Sequence, residues 1–200
     1  DNLLMARLRN VEHLSTEATP SQRAVARKAG GSGNKKLDSL IIRPPQREDA
    51  EDLHNVYRHP LVARTTLQIP SQKVTLSRQR METLPPGLYR LVAEVDGRVV
   101  GSISLHQAQH AQEKHAAGLG MGVHPDYWSR GIGSALMSAV VDLADNWLNI
   151  TRVELDVNVD NPAGVHLYKK FGFEIEGTRR FHTYGDGRWA DSYFMARLRD

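Results

Sequence analysis

The chain has 200 residues, 40% hydrophobic and 24% charged, which suits one soluble globular domain with a sizeable core and a short appendage. It contains no cysteine, which excludes disulfides, a thiolate nucleophile and a cysteine-bound metal, and no apolar run approaches the roughly 18 residues of a membrane span. The net charge of +3 lies in residues 1–39, where seven Lys or Arg face four Asp or Glu, while the other 161 residues hold 19 of each sign; a neutral main domain has no electrostatic footprint for nucleic acid. With no apolar signal core near its start, the protein is expected to be cytoplasmic.

In chain order, residues 15–39 read as a polar linker with a short helix over Gln22 to Lys28 and a flexible "GGSG", so that 1–39 form a basic N-terminal extension and 40–200 the folded domain. "LIIR" is a short strand. "REDAEDLHNVYRH" is an amphipathic helix with Leu53, Val56 and Tyr57 inward and acids in its first turn, where the helix dipole favours them. After "TTLQIP", a second helix is expected over Gln72 to Thr83, stopped by Pro85, Pro86 and Gly87. "YRLVAEVDGRVVGSISLHQ" is a hairpin turning at Asp96-Gly97. A strand over Ala116 to Val123 then leads to a helix carrying Leu136, Val140, Leu143 and Trp147 at helical spacing.

"TRVELDVNV" alternates strictly, a strand with one buried face. "NPAGVHLYKKFG" is a short helix with Pro162 in its first turn and Gly172 as its stop. Two last strands, about Phe173 to Thr183 and Trp189 to Arg197, meet at "YGDGRW". The order β-α-α-β-β-β-α-β-α-β-β is mixed α/β with a mostly antiparallel central sheet flanked by helices.

The stretch "VHPDYWSRGIGSALM" puts Gly131 and Gly133 at a strand-to-helix junction. There the first helical N–H groups lack internal partners, the dipole is positive, and glycine admits a close ligand, so a phosphate or pyrophosphate fits; glycines that merely make the turn fit as well. His106, His110 and His115 cluster along a strand end and loop rather than one helix face, so no metal is expected. "RRFH", Arg179 to His182, reads as strand surface.

Together "SRGIGS" (Ser129 to Ser134) and "NVDNPAGVHLYKKFGF" (Asn158 to Phe173) resemble the GNAT superfamily of acetyl-CoA-dependent N-acetyltransferases over about residues 40–200. Within it, "TTLQIP", "DNWL", "RVEL", "VDNPAGVHLYKKFGFEIEGT" and "YFMARLR" are most similar to the bacterial L-amino-acid N-acetyltransferase branch. The resemblance implies the GNAT fold with splayed strands at the cofactor site, and acetyl-CoA as cosubstrate with its pyrophosphate on Ser129, Arg130, Gly131, Ile132, Gly133 and Ser134. One departure stands out: Trp128 occupies the position where the family pattern has Gln or Arg.

The resemblance further implies that backbone groups of Met121 and Val123 pair with the pantetheine arm, that Asn161 contacts the cofactor, and that Tyr168 acts as the general acid for the departing thiolate. On its residues alone, Tyr168 reads first as a core tyrosine at helical spacing, and it is the surrounding motif that reverses the preference. Thr66, Leu67, Gln68 and Tyr184 are the expected acceptor-binding residues, with Arg64 or Arg78 to hold a carboxylate. No acid stands on the strand before the turn, Gly118 taking the place where relatives can carry one; water relayed to Asp156, Glu154 or His115 could serve, and no base is assigned.

The implied reaction is direct acetyl transfer to the α-amine of a free L-amino acid or similar small amine. The partner is a small molecule, neither nucleic acid nor membrane, with a homodimer left open. The rival readings are a protein N-terminal or antibiotic amine acetyltransferase and a non-catalytic CoA-binding sensor. Finally, "DNLLMARLRN" at residues 1–10 matches "DSYFMARLRD" at 191–200 through Met-Ala-Arg-Leu-Arg; the repeat is expected to mark the last strand of a preceding domain copy.

Overall fold

The computed structural model describes residues 39–82 and 84–199. The helix expected over Gln22 to Lys28, the linker and the repeat at residues 1–10 lie outside them. The described chain runs β1 (Leu40–Arg43), a 3-10 turn (Arg47–Asp49), α1 (Ala50–Arg58), α2 (Pro60–Ala63), α3 (Val74–Glu82), β2 (Leu88–Val95), β3 (Arg98–Gln107), β4 (Ala116–Val123), a second 3-10 turn (Pro125–Tyr127), α4 (Ile132–Asn146), β5 (Arg152–Asn158), α5 (Pro162–Lys170), β6 (Glu174–Gly185) and β7 (Arg188–Leu198). The seven strands form one sheet in the order β1-β2-β3-β4-β5-β7-β6. Only β4 and β5 pair in parallel.

The expected α/β order therefore holds, with local differences that have physical causes. The extra short helix α2 begins because the His59 ring accepts the Leu61 N–H and Pro60 fills the first helical position, where its missing donor costs nothing. Trp147 falls one residue past α4 and is 36% exposed, so the inward face of that helix ends at Leu143 and Ala144. Arg43 anchors the start of the domain: its guanidinium meets Asp49 at 2.7 Å and Glu94 at 2.7 Å, tying β1 to the first turn and to β2. Burial alone would raise the Asp49 carboxyl, but Arg43 and the Gln46 N–H outweigh it and hold the pKa below the usual carboxylate value.

Strand alternation gives the sheet two different faces. One carries Leu91, Ala93, Ile103, Leu105, Ala117, Val153, Leu155 and Met195, buried against Ile132, Leu136, Met137 and Val140 of α4 and against Tyr168 of α5. A few fully buried side chains of that size contribute about 2 kcal/mol each. The other face carries Arg90, Ser102, Ser104, His106, Glu154, Asp156, Asn158 and Ser192, in register across the strands and interrupted on β4 by Gly118, Gly120 and Gly122. The α1–α3 segment covers this polar face only in part, through the small cluster of Leu53, Tyr57, Val92 and Val99.

Candidate active site

A cavity of about 1020 Å³ opens on the polar face, between the α1–α3 segment and the middle of the sheet. It is created where β4 and β5 part. Their ladder runs only from Ala116↔Arg152 to Gly118↔Glu154. The Ala116 carbonyl accepts from Ala108, and the His124 N–H donates to Val100, so the even-numbered residues of β4 turn their backbone groups toward β3. Leu119, Met121 and Val123 then turn theirs toward the gap, where no ladder partner meets them. An extended, amide-bearing ligand would complete this edge as an added strand.

At the top of the gap, Gly131 caps α4 with φ +84°, and Ser129 also has positive φ, +59°. Such a turn curls successive N–H groups inward. The first helical bond of α4 is Ala135 N–H to the Gly131 carbonyl, leaving the N–H groups of Ile132, Gly133 and Ser134 without intrahelical partners. A Cβ on Gly131 would meet nothing within 4 Å, so the turn is open to a ligand, whereas one on Gly133 would come within 3.1 Å of Leu167 on α5. This cradle, continuing into the open strand edge, fits a pyrophosphate with a pantetheine arm.

Trp128, the departure from the family pattern, donates its indole N–H to the Val123 carbonyl at 2.7 Å. It pins the turn to the end of β4 and takes one acceptor from the open edge. Met121, Val123, Ser129, Gly131, Ile132, Gly133, Asn161 and Tyr168 all line the cavity, as do Thr66, Leu67 and Gln68. Arg130 and Ser134 do not, and the Arg130 guanidinium lies over the Tyr127 ring at 5.3 Å. Tyr184 does not either; its ring packs on Trp189 at 5.1 Å and is 64% exposed.

Asn161 caps α5, its Oδ1 accepting the Gly164 N–H at 3.1 Å, which leaves the Nδ2 group for a ligand. Tyr168 belongs to both faces: its ring packs at 5.9 Å from Phe173 in the apolar core, and it also lines the cavity. Burial, with Tyr57 nearby, pushes the phenol up to about 12. It is therefore protonated at every physiological pH.

On the polar floor, the Tyr57 hydroxyl meets Ser102 Oγ at 2.9 Å and Arg90 Nε donates to Ser104 Oγ at 3.2 Å. Burial, then the positive charge of Arg90, lowers the pKa of His106 and so favours its neutral ring. Gly122 is required by packing, because a Cβ there would lie 2.7 Å from the Tyr57 ring. Gly118 and Gly120 are not: a Cβ on either would meet nothing within 4 Å, so they leave a trough along β4.

The candidate relay groups fare unequally. Glu154 and Asp156 line the cavity but are engaged by Arg152 at 3.0 Å and Arg179 at 2.9 Å. His115 is not on the wall. Of the two candidate carboxylate clamps, Arg78 is paired with Glu51 at 2.6 Å away from the cavity, while Arg64 lines it. The alternation Ser102, Ser104, His106 already marked a polar face, a signal the strand reading passed over; His182, also on the wall, had no such signal.

Comparison with known proteins gives the family. The profile of the acetyltransferase (GNAT) family matches residues 39–173. The chain is 36% identical to the L-amino acid N-acetyltransferase AaaT of Escherichia coli (strain K12) over 163 residues, which is 82% of this chain and 100% of that protein. It is 25% identical to the spermidine N(1)-acetyltransferase of the same strain over 78% of this chain and 84% of that one. A Salmonella typhimurium acetyltransferase structure with acetyl-CoA superposes with a TM-score of 0.69 at 21% identity, covering 82% of this chain and 95% of that one. Among the described residues there is no cluster of metal-ligating side chains, and no helix is long and apolar enough to cross a membrane.

Proposed function

The chain belongs to the acetyltransferase (GNAT) family, which uses acetyl-CoA, and on that premise we propose that it acetylates the α-amine of a free L-amino acid. The observation that carries this acceptor class is the 36% identity to an L-amino acid N-acetyltransferase along the whole of that protein. The cavity supports it in two ways. Arg64 offers a guanidinium to an α-carboxylate at the rim, and Leu67 and Ile69, 81% and 63% exposed beside it, offer apolar contact to a mid-sized side chain such as that of methionine or phenylalanine. A polyamine is less well served, because the cavity carboxylates Glu154 and Asp156 are already neutralised by arginines.

Bound acetyl-CoA supplies the thioester whose acetyl group is transferred. The N–H groups of Ile132 and Gly133, with the Asn161 amide, hold the phosphate end, and the open edge of β4 aligns the chain that follows. A β4 N–H in the gap, at Leu119 or Met121, is placed to receive the negative charge that builds on the carbonyl oxygen as the amine adds. Tyr168 donates its phenolic proton to the departing sulfur, in the protonation state that its burial guarantees, and the proton that the amine loses as the amide forms passes to solvent in the open cavity. With no cysteine in the chain, transfer is direct rather than through a cysteinyl acyl-enzyme.

The test is thiol release from acetyl-CoA against a panel of free L-amino acids, the same residues in peptides with free N-termini, and spermidine. Free amino acids should react best, with methionine and phenylalanine leading. A peptide or spermidine preference replaces the acceptor assignment, and binding of acetyl-CoA without thiol release on any amine supports the sensor reading.

A further inference from the structure

The proton that the attacking amine sheds needs an acceptor on its way to the solvent, and the groups on the cavity wall are unequally placed to be that acceptor. Glu154 and Asp156 are ion-paired with Arg152 and Arg179. His54, on α1, is turned to Ser77 Oγ at 3.5 Å. His182 stands on the edge strand β6, which β5 and β7 separate from β4. His106 remains, and strand register sets it beside the gap.

Leu88 on β2, His106 on β3, Gly118 on β4 and Glu154 on β5 are paired in one row across the sheet, and residues paired in this way share a face. Gly118↔Glu154 is the last rung before β4 and β5 part. His106 therefore stands level with the closed end of the gap, beside Gly118 and one residue before the Leu119 N–H. Neighbouring strands lie about 4.8 Å apart, so the backbones at His106 and Glu154 are separated by roughly 10 Å. Gly118 leaves that interval empty of side chains, since a Cβ there would meet nothing within 4 Å. The His106 side chain is exposed and lines the cavity. A neutral imidazole carries one proton-accepting nitrogen in either tautomer, and burial with the charge of Arg90 on β2 favours that neutral form. Of the other ionisable groups facing this space, Glu154 is held by Arg152, α1 contributes His54 and Arg58, and β4 contributes only glycine.

Resting on the proposed amine acetyl transfer, we infer that His106 is a catalytic residue, the general base that takes the proton from the amine nitrogen as its bond to the acetyl carbon forms. The nitrogen's proton passes to the imidazole, the carbon–sulfur bond breaks, and the sulfur takes the Tyr168 proton. The imidazolium then gives its proton to the water of the open cavity, and the Tyr168 phenolate regains one from it. The test is thiol release with the best amino acid of the panel. His106→Ala should lose about 10²-fold in kcat/KM for the amine at pH 7, with KM for acetyl-CoA unchanged. Imidazole added to the buffer should restore part of the rate to this variant and leave the wild type unchanged. The deficit should also narrow from pH 7 to pH 9, as hydroxide and the already neutral amine replace the missing base. His106→Gln keeps a polar side chain of similar size that accepts no proton, so it should lose as much, and it decides the question should the Ala variant fold poorly. Wild-type kcat/KM in either variant overturns the inference, as does a loss that neither imidazole nor raised pH narrows. Wild-type inactivity on every amine strikes down the parent reading instead, a result distinct from any variant outcome.

Discussion

The two faces of the sheet use the same strands for opposite ends. Toward α4, alternate residues are Leu, Ile, Val, Ala and Met packed without polar groups; toward the α1–α3 segment, the intervening residues are Arg, Ser, His, Asp, Glu, Asn and bare glycine. The first face supplies the free energy that the second spends on a hydrated, charge-bearing cavity. Substitutions should therefore sort by face: stability losses on one, kinetic losses on the other.

The largest effect is expected on the apolar side. Leu136→Ala, at 0% exposure against the centre of the sheet, should cost about 2–5 kcal/mol in urea unfolding, from lost transfer energy and the cavity left behind. Ser104→Ala on the opposite face should cost about 1 kcal/mol or less, since it loses one partly buried hydrogen bond to Arg90. Equal losses at the two positions would erase the distinction.

Tyr168 sharpens the comparison because it touches both faces. Tyr168→Phe keeps the ring against Phe173 but removes the hydroxyl, so stability should change little at pH 7 while turnover falls by about 10² with KM for acetyl-CoA nearly constant. Near-normal turnover would return Tyr168 to the core alone. A smaller effect, about 10-fold, is expected for Gly120→Val, which puts a branched side chain into open space on the trough: kcat/KM should fall for phenylalanine and hold for alanine. An equal loss for both acceptors would mean that the trough does not receive the side chain.

How much of this was legible in the sequence also divides by face. The apolar side follows from periodicity: Leu136, Val140 and Leu143 on α4 and Val153, Leu155 and Val157 on β5 are buried where their spacing puts them. The turn at Gly131 and the start of α5 at Pro162 follow from local chemistry, since each acts within a few residues of itself, whereas the cap by Asn161 went unread. The polar side depends on long-range pairing that no local pattern contains. That Asp156 meets Arg179 and that Arg78 is spent on Glu51 are contacts between distant segments, while the β6 bulge that puts His182 on the wall and the packing of Tyr184 on Trp189 are set by register across the last hairpin. Trp128 shows the same limit within one turn: its indole proton goes back to Val123, a contact that the residue type alone does not specify.

The smallest effect expected is a pH dependence, and it tests whether the Tyr168 hydroxyl shares the dry environment of its ring. Burial raises its pKa from 10.0 to about 12 in the folded protein, while the unfolded chain keeps the ordinary value. Between those values the folded state holds a proton that the unfolded state has lost, so stability falls as pH rises. The contribution is complete below pH 10 and disappears through about 12, amounting to about 1 kcal/mol lost by pH 11. Tyr57, raised in the same direction by its burial, adds to the slope. Urea midpoints measured from pH 8 to 11 should therefore decline, and decline less steeply in Tyr168→Phe. An identical slope in the variant would mean that the phenol ionises as freely in the folded protein as in water, so that its hydroxyl faces a wet cavity even though its ring is part of the core.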